Sequence, residues 1–244
     1  MGKKLKMDEK ELRNRIQSLW IGGELSLFEW MSIASFIKNG HDYYLYAYKN
    51  IKVPQGAVLK DADRIIPKKN IFRNEIWSKS YTQFANIFRY KLLLEKGGWW
   101  CDTDVVCLKR FDFKKKYVFG YQDERLICNA IIFCYPHSKL MAELYSKSKK
   151  IGKTSEWGVT GPQLLTKTVK TLKLTRYAKN REVFYPIFPL ELPIIFKPNK
   201  KMPKNSYTFH LWNDIIRMTS VDKNCIYPKN TIIGKLQKIY LDTP

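Results

Sequence analysis

The chain has 244 residues, with 44 lysines and arginines against 22 acids and a formal net charge of +22. That length suits one large domain or one and a half, and 45% hydrophobic residues suffice for a core. No apolar run approaches the roughly 18 residues of a membrane-spanning helix, and the charge calls for an anionic partner without choosing among nucleic acid, an anionic leaflet and a nucleotide.

In chain order, residues 1–15 read as a charged lead-in, frayed or a short helix. No apolar segment follows the first charges, so no secretory leader is expected. Position 6 is a lysine, which argues against acylation of the Met-Gly start. Residues 15–23 (RIQSLWIGG) read as a strand ending in a glycine loop. Ligands of open α/β sheets bind beyond the carboxyl ends of strands. Trp20 therefore stands where a base can stack, or else in the core. Leu27–Lys38 is an amphipathic helix stopped by Asn39-Gly40. Residues 43–48 read as a second strand. This β-α-β start carries no GxGxxG phosphate loop. Residues 53–56 form a turn. Asp61-Ala62-Asp63 is a second Asp-x-Asp, read as a solvated turn because no helix aims an arginine at it.

Residues 80–108 organise the chain. Tyr81, Phe84, Ala85, Phe88 and Leu92 recur at helical spacing as a core stripe. Ser80 can cap the start, and Gly97 sits where a positive-φ C-cap is wanted. Residues 99–108 are aromatic and β-branched and are predicted as one strand. From Gly97 back to Arg89 is roughly 12 Å of helix. From Gly98 forward to Asp102 is roughly 13 Å of strand. If the turn reverses the chain, Arg89 lies level with Asp102 and Asn86 near Asp104. Asn86, Arg89, Tyr90 and Leu93 share a helix face. Asp102 and Asp104 share a strand face because side chains alternate. Two acids ending an apolar strand need a cationic partner or a metal. Mg²⁺ or Mn²⁺ suits oxygen ligands and leaves positions for phosphates, which makes a nucleoside diphosphate site.

Asn86-x-x-Arg89-Tyr90, a spacer, Gly97-Gly98-Trp99-Trp100 and Asp102-Thr103-Asp104 resemble the sugar-binding DXD region of retaining GT-A glycosyltransferases. Bacterial capsular-polysaccharide and mannosyl- or galactosyl-type transferases are the near relatives, and the large glucosylating toxins distant ones. The family pattern begins Ser-Asp; here Ala85-Asn86 stand in that place. Asn86 can still hydrogen-bond a sugar hydroxyl, without charge, and the donor sugar stays open. The resemblance implies an α/β GT-A (Rossmann-like) fold with a mostly parallel central sheet and a less regular C-terminal portion. It implies that Trp20 and Ile21 contact the donor nucleotide. Asp104 would bind the metal, Asp102 ribose or metal-bound water, and Arg89 the diphosphate or sugar. UDP-sugars are favoured as donors, with GDP-sugars an alternative.

Beyond the acids, residues 109–116 are a basic loop and 117–121 a strand. Residues 127–135 form a buried strand carrying Asn129, which needs a partner, either a donor hydroxyl or a backbone group. Pro136-His137-Ser138 opens a helix over 139–149. Residues 157–163 (WGVTGPQ) form a tight loop before a helix. By the resemblance its Gly161 segment borders the sugar pocket. Residues 184–197 are proline-rich and read as extended chain rather than a second core. Residues 207–213 contain a strand. His210 is by resemblance a candidate metal ligand, better suited to Mn²⁺, with Asn213 as the other option. In 231–241, Ile232, Ile233, Leu236, Ile239 and Tyr240 share a helical face that can pack on the domain or lie on a membrane.

Cys101 and Cys107 fall on one predicted strand, and Cys128 and Cys134 on another. Reduced, buried thiols of a cytoplasmic protein are expected. The expected organisation is a lead-in (1–15), one catalytic domain (16–228) and a C-terminal amphipathic helix (229–244). Within the domain, about 16–135 binds donor and about 136–228 serves the acceptor. The expected activity is metal-dependent, retaining transfer of a hexose from a nucleotide sugar to a glycan or lipid-linked oligosaccharide, in surface polysaccharide synthesis. A location peripheral to the cytoplasmic membrane face fits the basic stretch 139–204. The alternative is a basic nucleic-acid-binding protein without catalysis, although no nucleic-acid motif is recognisable. A two-carboxylate hydrolase is disfavoured, because two acids this close on one strand do not straddle a bond.

Overall fold

The computed structural model describes residues 8–74, 80–153, 156 and 158–241. The strands are β1 (Arg15–Trp20), β2 (Asp42–Ala47), β3 (Ala57–Asp61), β4 (Gly98–Cys101), β5 (Val105–Cys107), β6 (Tyr117–Tyr121), β7 (Ile127–Cys134), β8 (Ala178–Lys179) and β9 (Thr208–His210). The α-helices are α1 (Glu9–Asn14), α2 (Leu27–Lys38), α3 (Thr82–Lys96), α4 (Lys139–Ile151), α5 (Leu164–Thr171), α6 (Arg181–Phe184), α7 (Asn213–Ile216) and α8 (Ile232–Leu241). Seven strands form one sheet in the order β3-β2-β1-β4-β7-β6-β8. Only β7 runs against the other six. Strands β5 and β9 form a separate antiparallel ribbon.

The local chemistry accounts for these elements. At α2, Ser26 and Glu29 make a reciprocal capping box and Asn39 ends the helix. At α3 the capping position is Tyr81, while the Ser80 hydroxyl accepts from the Thr82 N–H at 3.4 Å. Gly97 and Gly98 have φ of +61° and +88°, a region that only glycine enters at little cost. A methyl on Gly97 would meet Pro136 atoms at 2.6 Å. This tight reversal sends the chain from α3 into β4. There Trp99 and Trp100 fall on opposite faces of the sheet. Trp100 joins a core with α3, α4 and α5, and Trp99 an aromatic core with Phe36, Tyr43 and Phe133.

The structure departs from the sequence reading of the fold in two places and decides two open alternatives. The strand expected over 99–108 is two strands in two different sheets, so Cys101 and Cys107 do not share one. The proline-rich stretch is not coreless, because Ile187, Leu192 and Ile195 are buried in a third cluster with α2 and α8. Prolines 189 and 193 bend it into a 3₁₀ segment, Pro189–Phe196, that turns those side chains inward. Residues 9–14 are helix, capped by the Asp8 side chain. Helix α8 buries Ile232, Ile233, Leu236 and Tyr240 against its own domain and leaves Ile239 exposed. The apolar face considered for a membrane is therefore occupied. Residues 1–7 of the lead-in, Trp157 and residues 242–244 lie outside the described residues. No helix among the described residues is long and apolar enough to cross a membrane. Four cysteines are buried free thiols and Cys225 is exposed.

Candidate active site

The Gly97-Gly98 reversal brings the end of α3 back along β4, so Arg89 meets Asp102 as the residue arithmetic requires. Arg89 Nη2 donates to Asp102 Oδ1 at 2.6 Å. Trp100 Nε1 donates to the same oxygen at 2.6 Å. The guanidinium also lies 4.8 Å from the Trp100 ring centroid, a cation–π contact. Arg89 is only 4% exposed. Its Nε and Nη1 are buried with no protein partner among the described residues. Buried charged donors left this way are costly, and Arg89 lines the cleft. The arrangement has spare capacity for an anion.

Asp102 and Asp104 do not share a strand face. Strand β4 ends at Cys101, and Asp102-Thr103-Asp104 is a turn closed by the Val105 N–H on Asp102 O at 3.2 Å. The turn carries the chain from the large sheet into the ribbon. Strand β9 there sets His210 opposite Val105. His210 Nε2 lies 3.3 Å from Asp104 Oδ1. Asp104 Oδ2 accepts from the Asn213 N–H at 2.7 Å, and Asp104 O from the Leu211 N–H at 2.9 Å. Trp212 lies against His210, with ring centroids 3.9 Å apart and planes tilted by 42°. Asp102, Asp104 and His210 each offer a ligand atom, all within 4.8 Å of one another.

The two acids are electrostatically unequal. Burial pushes the Asp102 carboxyl up, Arg89 pulls it back, and the neighbouring Asp104 charge raises it again. Burial also opposes ionisation of Asp104. There the charge and hydrogen bond of His210 and the Asn213 amide prevail and hold the carboxyl at about 2. Two adjacent acids held apart in this way suit a site where one is permanently anionic.

Trp20, Ile21, Asn86 and Asn129 wall the same cleft, whose volume is about 370 Å³. Trp20 is pinned by its Nε1 donating to Gly23 O at 2.8 Å. Asn86 is not turned to Asp104. Its Nδ2 donates to the Thr160 hydroxyl at 3.1 Å, and its Oδ1 accepts from Asn129 Nδ2 at 2.8 Å. One amide thus supplies the partner that each of these buried polar side chains needs. Gly161 packs beneath the pair, where a methyl would come within 3.1 Å of Asn86 Nδ2. Tyr90 is fully buried and donates to Thr160 O at 3.0 Å. Gly161 and Tyr90 therefore brace the loop 158–163 rather than face the cleft. The rival Asp61 and Asp63 are exposed, spending oxygens on the N–H groups of Asp63 and Lys68.

Residues 28–122 match the family model for the glycosyltransferase sugar-binding region containing the DXD motif. Residues 136–239 match the model for the alpha 1,4-glycosyltransferase conserved region. Two glycosyltransferase models thus match successive parts of the chain, which is a glycosyltransferase. This transferase is similar in fold to the PaToxG glycosyltransferase, at 15% identity and TM-score 0.53, over 67% of this chain and 70% of that one. It is similar also to the UDP-bound glycosyltransferase domain of the YGT toxin, at 8% identity and TM-score 0.51, over 69% and 79% of the two chains. Its α/β architecture is that of GT-A glycosyltransferases. No curated protein matches the sequence.

Two residues that hold the transferase's site in place escaped the sequence reading. Glu29 is fully buried, and its side chain accepts from Ser26, from Asn213 Nδ2 at 2.8 Å and from Lys223. Asn213 is in turn the residue whose N–H holds Asp104. Lys223 is the second, whereas Thr160, which accepts from Asn86, belongs to the segment that the resemblance sets beside the sugar pocket. Glu29 is the capping-box acid of α2. Nothing local announces that its second oxygen reaches a segment 184 residues away.

Proposed function

We propose that the chain transfers a hexose from a nucleoside diphosphate sugar to a glycan acceptor, with a divalent cation at Asp102, Asp104 and His210. The observation that carries this reading is the pairing of that three-ligand cluster with two buried, unpartnered Arg89 donors on one cleft. Two carboxylates and an imidazole suit Mn²⁺, with Mg²⁺ the alternative, and such ions leave positions for phosphate oxygens. A bound ion would act as a Lewis acid on the departing diphosphate. Arg89 adds a fixed positive charge to the same oxygens from a buried position, where preorganised charge is most effective. Asn86 and Asn129 line the wall on which sugar hydroxyls would be read. Trp20, held in place by its indole N–H, is the surface for the base.

Uridine nucleotides are the first donors to test, since the YGT toxin domain was solved with UDP; GDP-sugars come second. The second matching region is described as an alpha 1,4-glycosyltransferase. An α-linked product from an α-configured donor requires net retention. No side chain of the cleft stands out as a covalent nucleophile, so the acceptor would attack on the leaving-group face. We assign the catalytic unit to about 16–228, donor side about 16–135, with surface glycan or lipid-linked oligosaccharide as acceptor class.

The decisive experiment is a panel of UDP- and GDP-sugars with Mn²⁺, reading released nucleotide. Asp104→Ala should remove turnover while leaving the far-UV spectrum unchanged, and EDTA should act likewise. Turnover that survives both would overturn the metal assignment. No turnover with any donor, beside a salt-dependent shift with RNA, would overturn the transferase reading.

A further inference from the structure

We propose that the outward face of α4 and α5 is a docking surface for an anionic phospholipid bilayer. Between 139 and 179 the chain carries ten lysines or arginines against two acids. Each helix buries one side in the main core, through Leu140, Met141 and Leu144 on α4 and Leu165 and Val169 on α5. The other side is basic. On α4, Lys139, Lys147 and Lys150 fall within one stripe at about 100° per residue. Lys167, Lys170 and Lys173 continue it along α5 and just past its end, and all six are exposed. Lys147 is paired with Glu143 at 2.7 Å, and none of the other five has an acid within salt-bridge distance among the described residues. The helices pack side by side, so these charges form one field rather than two.

The chemistry of the face favours a leaflet over nucleic acid. It is the outward side of two α-helices that pack on the core and on each other. Nine of its ten cations between 139 and 179 are lysines, compact charges without the planar fork that stacks on bases. Its two tyrosines are half-buried and covered, Tyr145 by Lys149 and Tyr177 by Arg176. None of the large exposed hydrophobic side chains lies on it. Attachment is therefore electrostatic, reversible and steeply dependent on salt. The placement relates to the cleft, because α5 follows directly from the turn Val159–Gln163, and Gly158 and Pro162 form part of the cleft wall. An acceptor carried in the leaflet would then be offered beside the donor pocket. That last clause rests on the transferase reading, whereas the surface itself does not.

The test uses the full chain and vesicles of phosphatidylcholine with and without phosphatidylglycerol, read by co-sedimentation. Binding is expected only with the anionic lipid and is lost as salt approaches about 0.5 M. Each lysine near an anionic surface contributes about fivefold in partition. The variant Lys139→Gln/Lys150→Gln/Lys167→Gln/Lys170→Gln should therefore bind about 10²- to 10³-fold more weakly, with donor hydrolysis and melting temperature unchanged. Equal binding by that variant, or equal binding to neutral vesicles, overturns the proposal. So does displacement from vesicles by RNA that the four substitutions also weaken, which would assign the face to nucleic acid. Charge-dependent vesicle binding by a chain that turns over no donor would sink the transferase reading and leave the surface standing.

Discussion

The buried tie between Glu29 and Lys223 offers a quantitative test of how the C-terminal segment is held over the acids. Glu29 is fully buried and Lys223 about a fifth exposed, at 22% of its side chain. Removing one partner of a buried pair leaves the other charge uncompensated, at about 3–5 kcal/mol. Lys223→Met strands Glu29 and should cost in that range. Glu29→Gln keeps one acceptor oxygen, for Asn213 Nδ2, and sets an amide NH₂ where the other oxygen accepted from the Ser26 N–H. Loss of the charge and of that capping contact makes its cost about 1–3 kcal/mol. The double variant should then be less damaged than the sum, with a coupling of about 1.5–3 kcal/mol by urea unfolding. Because Asn213 donates to Asp104 Oδ2, Glu29→Gln should also raise the donor KM more than it lowers kcat. If the two single variants add within about 0.5 kcal/mol, the tie is not an energetic unit and the positioning argument fails.

Arg89→Ala removes the buried charge facing the cleft and should lower kcat about 10²- to 10³-fold, while Arg89→Lys should recover only part of it; initial rates at saturating donor decide this. Gly97→Ala places a methyl 2.6 Å from Pro136 at a φ of +61°. Strain plus overlap should cost about 3 kcal/mol, or about 6–12 °C in melting temperature for a chain of this size. His41 is buried, its Nε2 accepting from the Phe111 N–H at 3.0 Å, and burial pushes its pKa down to about 4. The unfolded chain takes up that proton near the ordinary 6.5 and the native state only near 4. Stability from this group is thus complete above about pH 6.5 and falls by about 3 kcal/mol as pH drops through 4. In His41→Asn, urea midpoints followed between pH 7 and 4 should lose that slope, and an unaltered slope would contradict the assignment.

The sequence reveals the unit α3–Gly97-Gly98–β4 because each part is local. A helical apolar stripe, a glycine stop and an aromatic strand fix the reversal, and residue rises alone bring Arg89 to Asp102. The break after Cys101 is hidden for the same reason. Thr103, Val105 and Val106 are β-branched, so propensity continues the strand. What ends it is tertiary, because β5 finds its partner in β9, about a hundred residues later, and leaves the large sheet. The third core cluster is hidden likewise, since prolines announce irregular chain without saying where Ile187, Leu192 and Ile195 will turn. Its helix face and the residue rises put Asn86 near Asp104. The face was right, but Thr160 and Asn129 on distant segments took both ends of the amide.

The strand break is also what makes the cluster possible. On a continuous strand, Asp102 and Asp104 would point the same way about 7 Å apart, with no third ligand attached to them. As a turn between two sheets, the acids are joined to whatever pairs with β5, and that is the strand carrying His210. The Leu211 N–H on Asp104 O and the Asn213 N–H on Asp104 Oδ2 then make the turn and the 211–213 segment one structure. Arg89 approaches from the opposite side, on a helix belonging to the large sheet. The cleft is thus composed at a seam, with donors from α3, acids from the turn and an imidazole from the ribbon. Displacing the C-terminal third would dismantle the site while leaving the Asp-x-Asp sequence untouched.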